Sequence, residues 1–343
     1  MSTTAGYIDE TRLLAIRVLA DSLGAADRIN KQFQHRADIL KAVMGLTSAQ
    51  ILEFSRRGKV ETVQLEWMNA CADLITEFSN CGQSCNKAST NIQERTLTKE
   101  VNACFDVSED DWRDNDFGFD QAVAKLMVAA DKQIIDQYAQ YVIAFLNLCG
   151  GVNTLGTEGK GVVVGNLTYI DPAYWDPSIM AYMIRVAAHN QFTDPTLLDG
   201  SNMIEQYILA KQRTANADGK GDSNLMSMMP YFADEYNMAL INANKRTYMV
   251  QKGSIAFANI AWYEKFTEGA PKKEGHFTRF SRPNIFLPEL KQDIFIKSTC
   301  NESAGDKGFS YNFQALATAQ MYLNPEGCDQ DNTGVLIFEC GTV

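Results

Sequence analysis

The chain has 343 residues, 45% of them hydrophobic, with 18 Phe, 13 Tyr and 4 Trp, so it can bury a large core as one big domain or two ordinary ones. Its 31 Lys and Arg stand against 42 Asp and Glu, a net charge of −11, and this weighs against nucleic-acid binding, which needs clustered cations. The pairs Arg56-Arg57 and Lys272-Lys273 are isolated and read as solvated surface.

The N-terminal third is helical in pattern. DETRLLAIRVLADSL puts Leu13, Ile16, Leu19 and Leu23 close to one face. ADILKAVMGL is a second helix with Gly45 as its stop. LTSAQILEFSRRG reads as a third, with Thr47 or Ser48 as N-cap and Gly58 at the end. VQLEWMNACADLITEF reads as a strand followed by a helix, its period ambiguous. Residues 80–113 turn polar, and RTLTKEVNACFDV alternates loosely, as an extended hairpin arm would.

FGFDQAVAKLMVAADKQIIDQYAQYVIAFLNLCGG carries the strongest local signal. Phe119, Val123, Leu126, Ala130, Ile134, Tyr138, Val142, Phe145 and Cys149 follow steps of three and four. Asp114 or Asp116 caps the start and Gly150-Gly151 ends it. Roughly 30 helical residues span about 45 Å. A compact chain of this length has a radius of gyration of only about 20 Å, so an elongated subunit is expected. KGVVVGNLTYID is a short hairpin. PSIMAYMIRVAAHNQF and LLDGSNMIEQYILAKQR are helices, and NLMSMMPYFADEYNMALINANK holds another, interrupted at Pro230. From Thr247 the pattern is β: TYMVQKGSIAFANIAWY, DIFIKSTC, FSYNFQALATAQMYL and VLIFEC, with a turn at 324–327. Helices first and strands last, with few βαβ alternations, make the fold class α+β.

Chemistry is harder to find. His35, His189 and His276 are far apart and form no ligand pair. The stretch CGQSC places Cys81 and Cys85 four apart, one too many for a redox motif and without a second pair for a zinc knuckle. Loop thiols are the simpler account, and Cys71, Cys104, Cys149, Cys300, Cys328 and Cys340 read as mostly buried. Eight cysteines are too sparse for a disulfide scaffold. GTEGKGVVVG lacks the Ser or Thr of a phosphate loop after Lys160 and follows a helix, so it reads as a turn into the hairpin. SEDDWRDND lacks calcium-loop order and reads as helix-start acids. No catalytic residue, cofactor or metal is assigned. The polar start MSTTAGYIDE shows no leader, no run reaches the roughly 18–20 apolar residues of a membrane span, and a soluble protein made in a cytosol is expected.

Helical N-terminus, polar arm, one very long helix, mixed middle and closing strands with an NPEG turn form an order that resembles the major capsid proteins of tailed double-stranded DNA bacteriophages, a fold shared with encapsulin shells. The resemblance covers most of the chain and lies in architecture more than in any fixed motif. It implies an N-terminal arm and helices at 1–79 and an extended loop at 80–113. A peripheral domain with the spine helix would take 114–160 and 256–343, and an axial domain 161–255. The implied function is self-assembly, as hexamers and pentamers, into an icosahedral capsid enclosing DNA without sequence-specific binding. Portal, scaffolding and decoration proteins are the implied partners, with no membrane, and the implied place is the virion after synthesis in the host cytoplasm. A cleaved N-terminal scaffolding region has no match, so a separate scaffold or none is expected. The extended loop would lie on a neighbouring subunit through Arg95, Leu97, Lys99, Glu100 and Val101, the charges fixing register. Lys87 and Lys99 find no matching crosslink partner. An encapsulin-like compartment, another virion component and a thiol-dependent enzyme are the alternatives.

Overall fold

A computed structural model describes residues 16, 18–20, 22, 34–47, 50–57, 60–68, 90–108, 118–213, 229–261, 272–274, 277–301, 308–324 and 333–341. CGQSC, Lys87, His276 and all but the first residue of the 324–327 turn lie outside them. The described helices are α1 (Gln34–Leu46), α2 (Gly118–Leu148), α3 (Ile179–His189), α4 (Ile204–Arg213) and α5 (Glu235–Leu240). The strands are β1 (Gln50–Arg57), β2 (Val60–Met68), β3 (Thr90–Thr96), β4 (Glu100–Ser108), β5 (Gly161–Val164), β6 (Leu167–Ile170), β7 (Pro195–Asp199) and β8 (Tyr231–Ala233), then β9 (Arg246–Gln251), β10 (Ile255–Ile260), β11 (Lys272–Glu274), β12 (Phe277–Pro283), β13 (Lys291–Asn301), β14 (Gly308–Leu323) and β15 (Val335–Cys340). The fold is α+β. No helix among the described residues is long and apolar enough to cross a membrane.

Three sheets form: β1-β2-β3; β10-β14-β13-β12-β11, with β4 also on β14; and β5-β6-β15-β9-β7-β8. The chain divides into two compact units, unit 1 (residues 1–37, 98–138 and 259–320) and unit 2 (38–97, 139–258 and 321–343). This grouping departs from the division expected at 114–160 plus 256–343. The C-terminal strand is the reason: β15 pairs with β6 in parallel and with β9 antiparallel, at the centre of the unit 2 sheet.

In unit 1 one sheet face supports the first two-thirds of α2. Val101, Ala103, Phe105 and Val107 of β4 lie opposite Ala317, Ala315, Phe313 and Tyr311. Phe105 stacks on Phe313 at 5.0 Å, and Phe119 of α2 tilts on Tyr311 at 5.4 Å. Tyr138 is fully buried, and its hydroxyl donates to the carbonyls of Ala317 (2.7 Å) and Lys99 (3.2 Å). Phenylalanine at 138 keeps the ring but removes the hydroxyl's hydrogen bonds to the Ala317 and Lys99 carbonyls. Tyr138→Phe is therefore expected to lower stability by about 1–2 kcal/mol, read as a shift in urea midpoint with unchanged slope.

In unit 2, Tyr182, Met183 and Val186 of α3 pack with Leu197, Met249, Leu336 and Phe338 of the sheet. On the other sheet face the end of α2 is pinned. The amide oxygen of Asn147 accepts from Tyr248 Oη (2.6 Å) and Arg246 Nη1 (2.8 Å), and Arg246 also pairs with Glu339 at 2.8 Å. A Cβ at Gly150 would lie 2.5 Å from Ile337 Cδ1, so a larger residue there would push that side chain aside.

Two local expectations change. The segment 47–58, expected as a helix, holds β1 at Gln50–Arg57, and the Thr47 hydroxyl accepts from the Phe257 amide at 2.9 Å. The strands of the expected 80–113 hairpin stand in different sheets, β3 on β2 and β4 on β14.

Candidate interaction surfaces

The end of β3, the connection and the start of β4 carry the five residues expected at a subunit interface, and the structure separates them. Arg95 is exposed, its guanidinium donating to the Gln93 amide oxygen. Leu97 is buried. Gln320 Oε1 accepts from the Thr98 hydroxyl (3.0 Å) and the Lys99 amide (3.1 Å), and the Lys99 carbonyl accepts from the Ala319 amide (3.0 Å). Glu100 is exposed opposite Thr318, and Val101 is buried opposite Ala317. Leu97 and Val101 thus serve the chain's own packing, and of the five only Arg95 and Glu100 are exposed.

Sequence reasoning missed other surfaces. In β2 the buried Val63, Leu65 and Trp67 alternate with half-buried Thr62, Gln64 and Glu66. On the latter face β3 sets Ile92, 58% exposed, opposite Glu66, and Glu94 opposite Gln64. In unit 2 two helices show apolar side chains to water at four-residue spacing: Ile204 and Ile208, with Leu209, on α4, and Tyr236 and Leu240 on α5. That spacing was present in the sequence, but it cannot say which stripe of an amphipathic helix lacks a partner.

Both helices are held firmly by buried carboxylates. Asp199, fully buried, accepts from the Met203 amide ahead of α4 (2.9 Å), from Tyr231 Oη (2.6 Å) and from Thr247 Oγ1 (2.6 Å). Tyr231 stacks on Tyr207 of α4 at 4.6 Å. Asp234 caps α5 through the Asn237 amide (3.0 Å) and side chain (2.8 Å). Burial pushes the Asp199 carboxyl above the usual carboxylate range, the hydrogen bonds opposing. With the folded pKa raised, the native state binds more protons than the unfolded one between about pH 4 and the folded pKa, so this group's contribution falls as pH rises. Against Asp199→Asn, the wild type should therefore gain relative stability as pH drops from 7 toward 4. Urea midpoints of both proteins across that range check it, and a gap that shrinks on acidification counts against the burial argument.

The remaining sequence candidates take ordinary places. His189 ends α3, exposed. The glycine-rich run is the turn into β5, with Gly156 and Gly159 at positive φ. Burial pushes the Cys149 thiol up to about 11 and raises that of Cys340. Among the described residues no group of three His, Cys, Asp or Glu could hold a metal.

No protein-family profile matches the chain, and no curated protein does. Solved structures are similar over most of its length. The capsid of cyanophage P-SCSP1u is 10% identical, covering 87% of each chain, with a TM-score of 0.47. A Mycobacterium phage Che8 structure is 11% identical over 85% of this chain and 92% of its own, with a TM-score of 0.42. The SrpI encapsulin of Synechococcus elongatus is 10% identical over 74% of this chain and 77% of its own, with a TM-score of 0.34.

Proposed function

We propose that this chain is a structural shell protein whose copies assemble, as hexamers and pentamers, into an icosahedral viral capsid around double-stranded DNA. The observation that carries the reading is the solvent exposure of apolar side chains on well-anchored elements of unit 2, α4 and α5 above all. A helix fixed by a buried carboxylate does not turn its apolar stripe inward, and covering it with a neighbouring copy removes it from water. The β1-β2-β3 sheet and the exposed Arg95 and Glu100 supply further contact surface between copies. A net charge of −11 suits a container wall that repels packaged DNA rather than trapping it. Portal, scaffolding and decoration proteins are the further partners of such a shell, and the virion is its place.

Negative-stain microscopy and size-exclusion chromatography of the expressed protein test the reading. Closed shells are expected, and recovery of monomers alone under every assembly condition overturns it. The encapsulin-like alternative predicts shells filled with protein cargo instead of nucleic acid.

A further inference from the structure

We infer that β5 is a homotypic pairing edge: two copies join their β5 strands antiparallel about a twofold axis, making one sheet continuous across the contact. The inference rests on the shell reading above. It starts from the hydrogen-bond phase of the β5–β6 hairpin. The register pairs Gly161 with Ile170, Val162 with Tyr169, Val163 with Thr168 and Val164 with Leu167. The Asp171 amide donates to the Lys160 carbonyl at 2.9 Å, which fixes 160/171, and hence 162/169 and 164/167, as the hydrogen-bonded pairs. Gly161 and Val163 therefore turn their backbone groups outward, away from β6. The Gly161 carbonyl is taken by Thr157 Oγ1 at 2.6 Å. The N–H and C=O of Val163 remain on the open edge, with no partner among the described residues.

The side chains around that edge are apolar and self-matching. Val162 is 55% exposed and Val164 48%. They share a face with the half-buried Leu167 and Tyr169 of β6. The far edge of the same sheet, β8, is different: three residues, all half-buried, preceded by Pro230. Proline is a device that closes an edge to pairing, and β5, one residue longer than β8, has none.

Placing Val163 opposite its own copy exchanges two N–H···O=C bonds and sets Val162 opposite Val164 of the second copy, twice, as β-branched cross-strand pairs. Lys160, the charge nearest the strand, then faces the second copy's Asn166 and not itself, so no like charges meet. A four-residue edge covers far less than the roughly 800 Å² per partner of a stable complex. The contact is accordingly too small to hold a dimer alone and belongs to an assembly whose copies are held by other surfaces as well.

Val163→Pro tests it, because a proline whose missing N–H faced solvent leaves the hairpin ladder intact. The variant subunit is expected to unfold at the wild-type urea midpoint yet need about tenfold more protein to assemble. A second measurement is independent of proline: the double variant Val162→Cys/Val164→Cys, assembled and then oxidised, should run as a covalent dimer on non-reducing gels while oxidised wild-type shells do not. Assembled shells without that dimer, or Val163→Pro assembling at the wild-type concentration, overturn the edge pairing and leave the shell reading standing. Wild-type protein that never forms shells overturns both.

Discussion

Asp131→Ala should cost about 3–5 kcal/mol of subunit stability, because it removes the carboxylate that pairs with a buried guanidinium. Asp131 lies fully buried near the middle of α2, and the Arg282 side chain is 2% exposed. One carboxylate oxygen accepts from Arg282 Nη2 and from Gln292 Nε2, both at 2.6 Å; the other accepts from the Ile285 amide at 2.9 Å. The Asp131 carbonyl takes the Asn284 side-chain amide at 3.1 Å, and Asn284 Oδ1 in turn accepts from the amides of Phe286 (2.9 Å) and Leu287 (3.3 Å). One acid thus ties α2 to the whole connection between β12 and β13. Arg282→Ala should cost as much, for the mirror-image reason. Asp131→Leu combined with Arg282→Met should recover much of the loss, since an apolar pair needs no desolvation offset. Urea midpoints of the dissociated subunit, with unchanged slope, read all three. A single variant costing under about 1 kcal/mol would mean that water reaches the site, contrary to its burial.

This anchor could not be read from the sequence, although the helix that bears it could. The stripe through Val123, Ala130, Ile134, Tyr138 and Val142 is long enough to be unmistakable. Asp131 sits beside Ala130 and looks like any solvated helix acid, and its partner Arg282 is 151 residues away. The misread β1 has a local cause. Its register slips between Ile51 and Glu53, so that Ile51 and Phe54, three apart, pair with Leu65 and Val63, two apart. A bulge turned a period of two into an apparent period of three. β4 alternates faithfully, Val101, Ala103 and Val107 buried, but alternation names a face and not a partner. The nearest strand in sequence was the natural choice, and β14, more than two hundred residues on, was the true one. Surfaces fared worst for the same reason: sequence shows an apolar stripe without showing what covers it.

Ile208→Glu and Leu240→Glu together should abolish shell formation, raising the concentration needed to assemble by more than about a hundredfold. Leu240 is 56% exposed and Ile208 47%, so in the free subunit each carboxylate stays in water and the urea midpoint should shift by no more than about 0.5 kcal/mol per site. In a contact between copies the same carboxylates would be desolvated where apolar side chains had met. Asp199 and Asp234 make the comparison clean. Both hold the starts of α4 and α5 from inside the unit, so a surface change four or five residues further on does not loosen the helix, and lost assembly reports the surface itself. Ile208→Leu, which preserves the apolar character, should assemble as the wild type does. Shells forming normally from the double glutamate variant would place both helices on a face that no neighbouring copy touches, and the assembly contacts would then have to come from the β1-β2-β3 sheet and the β5 edge.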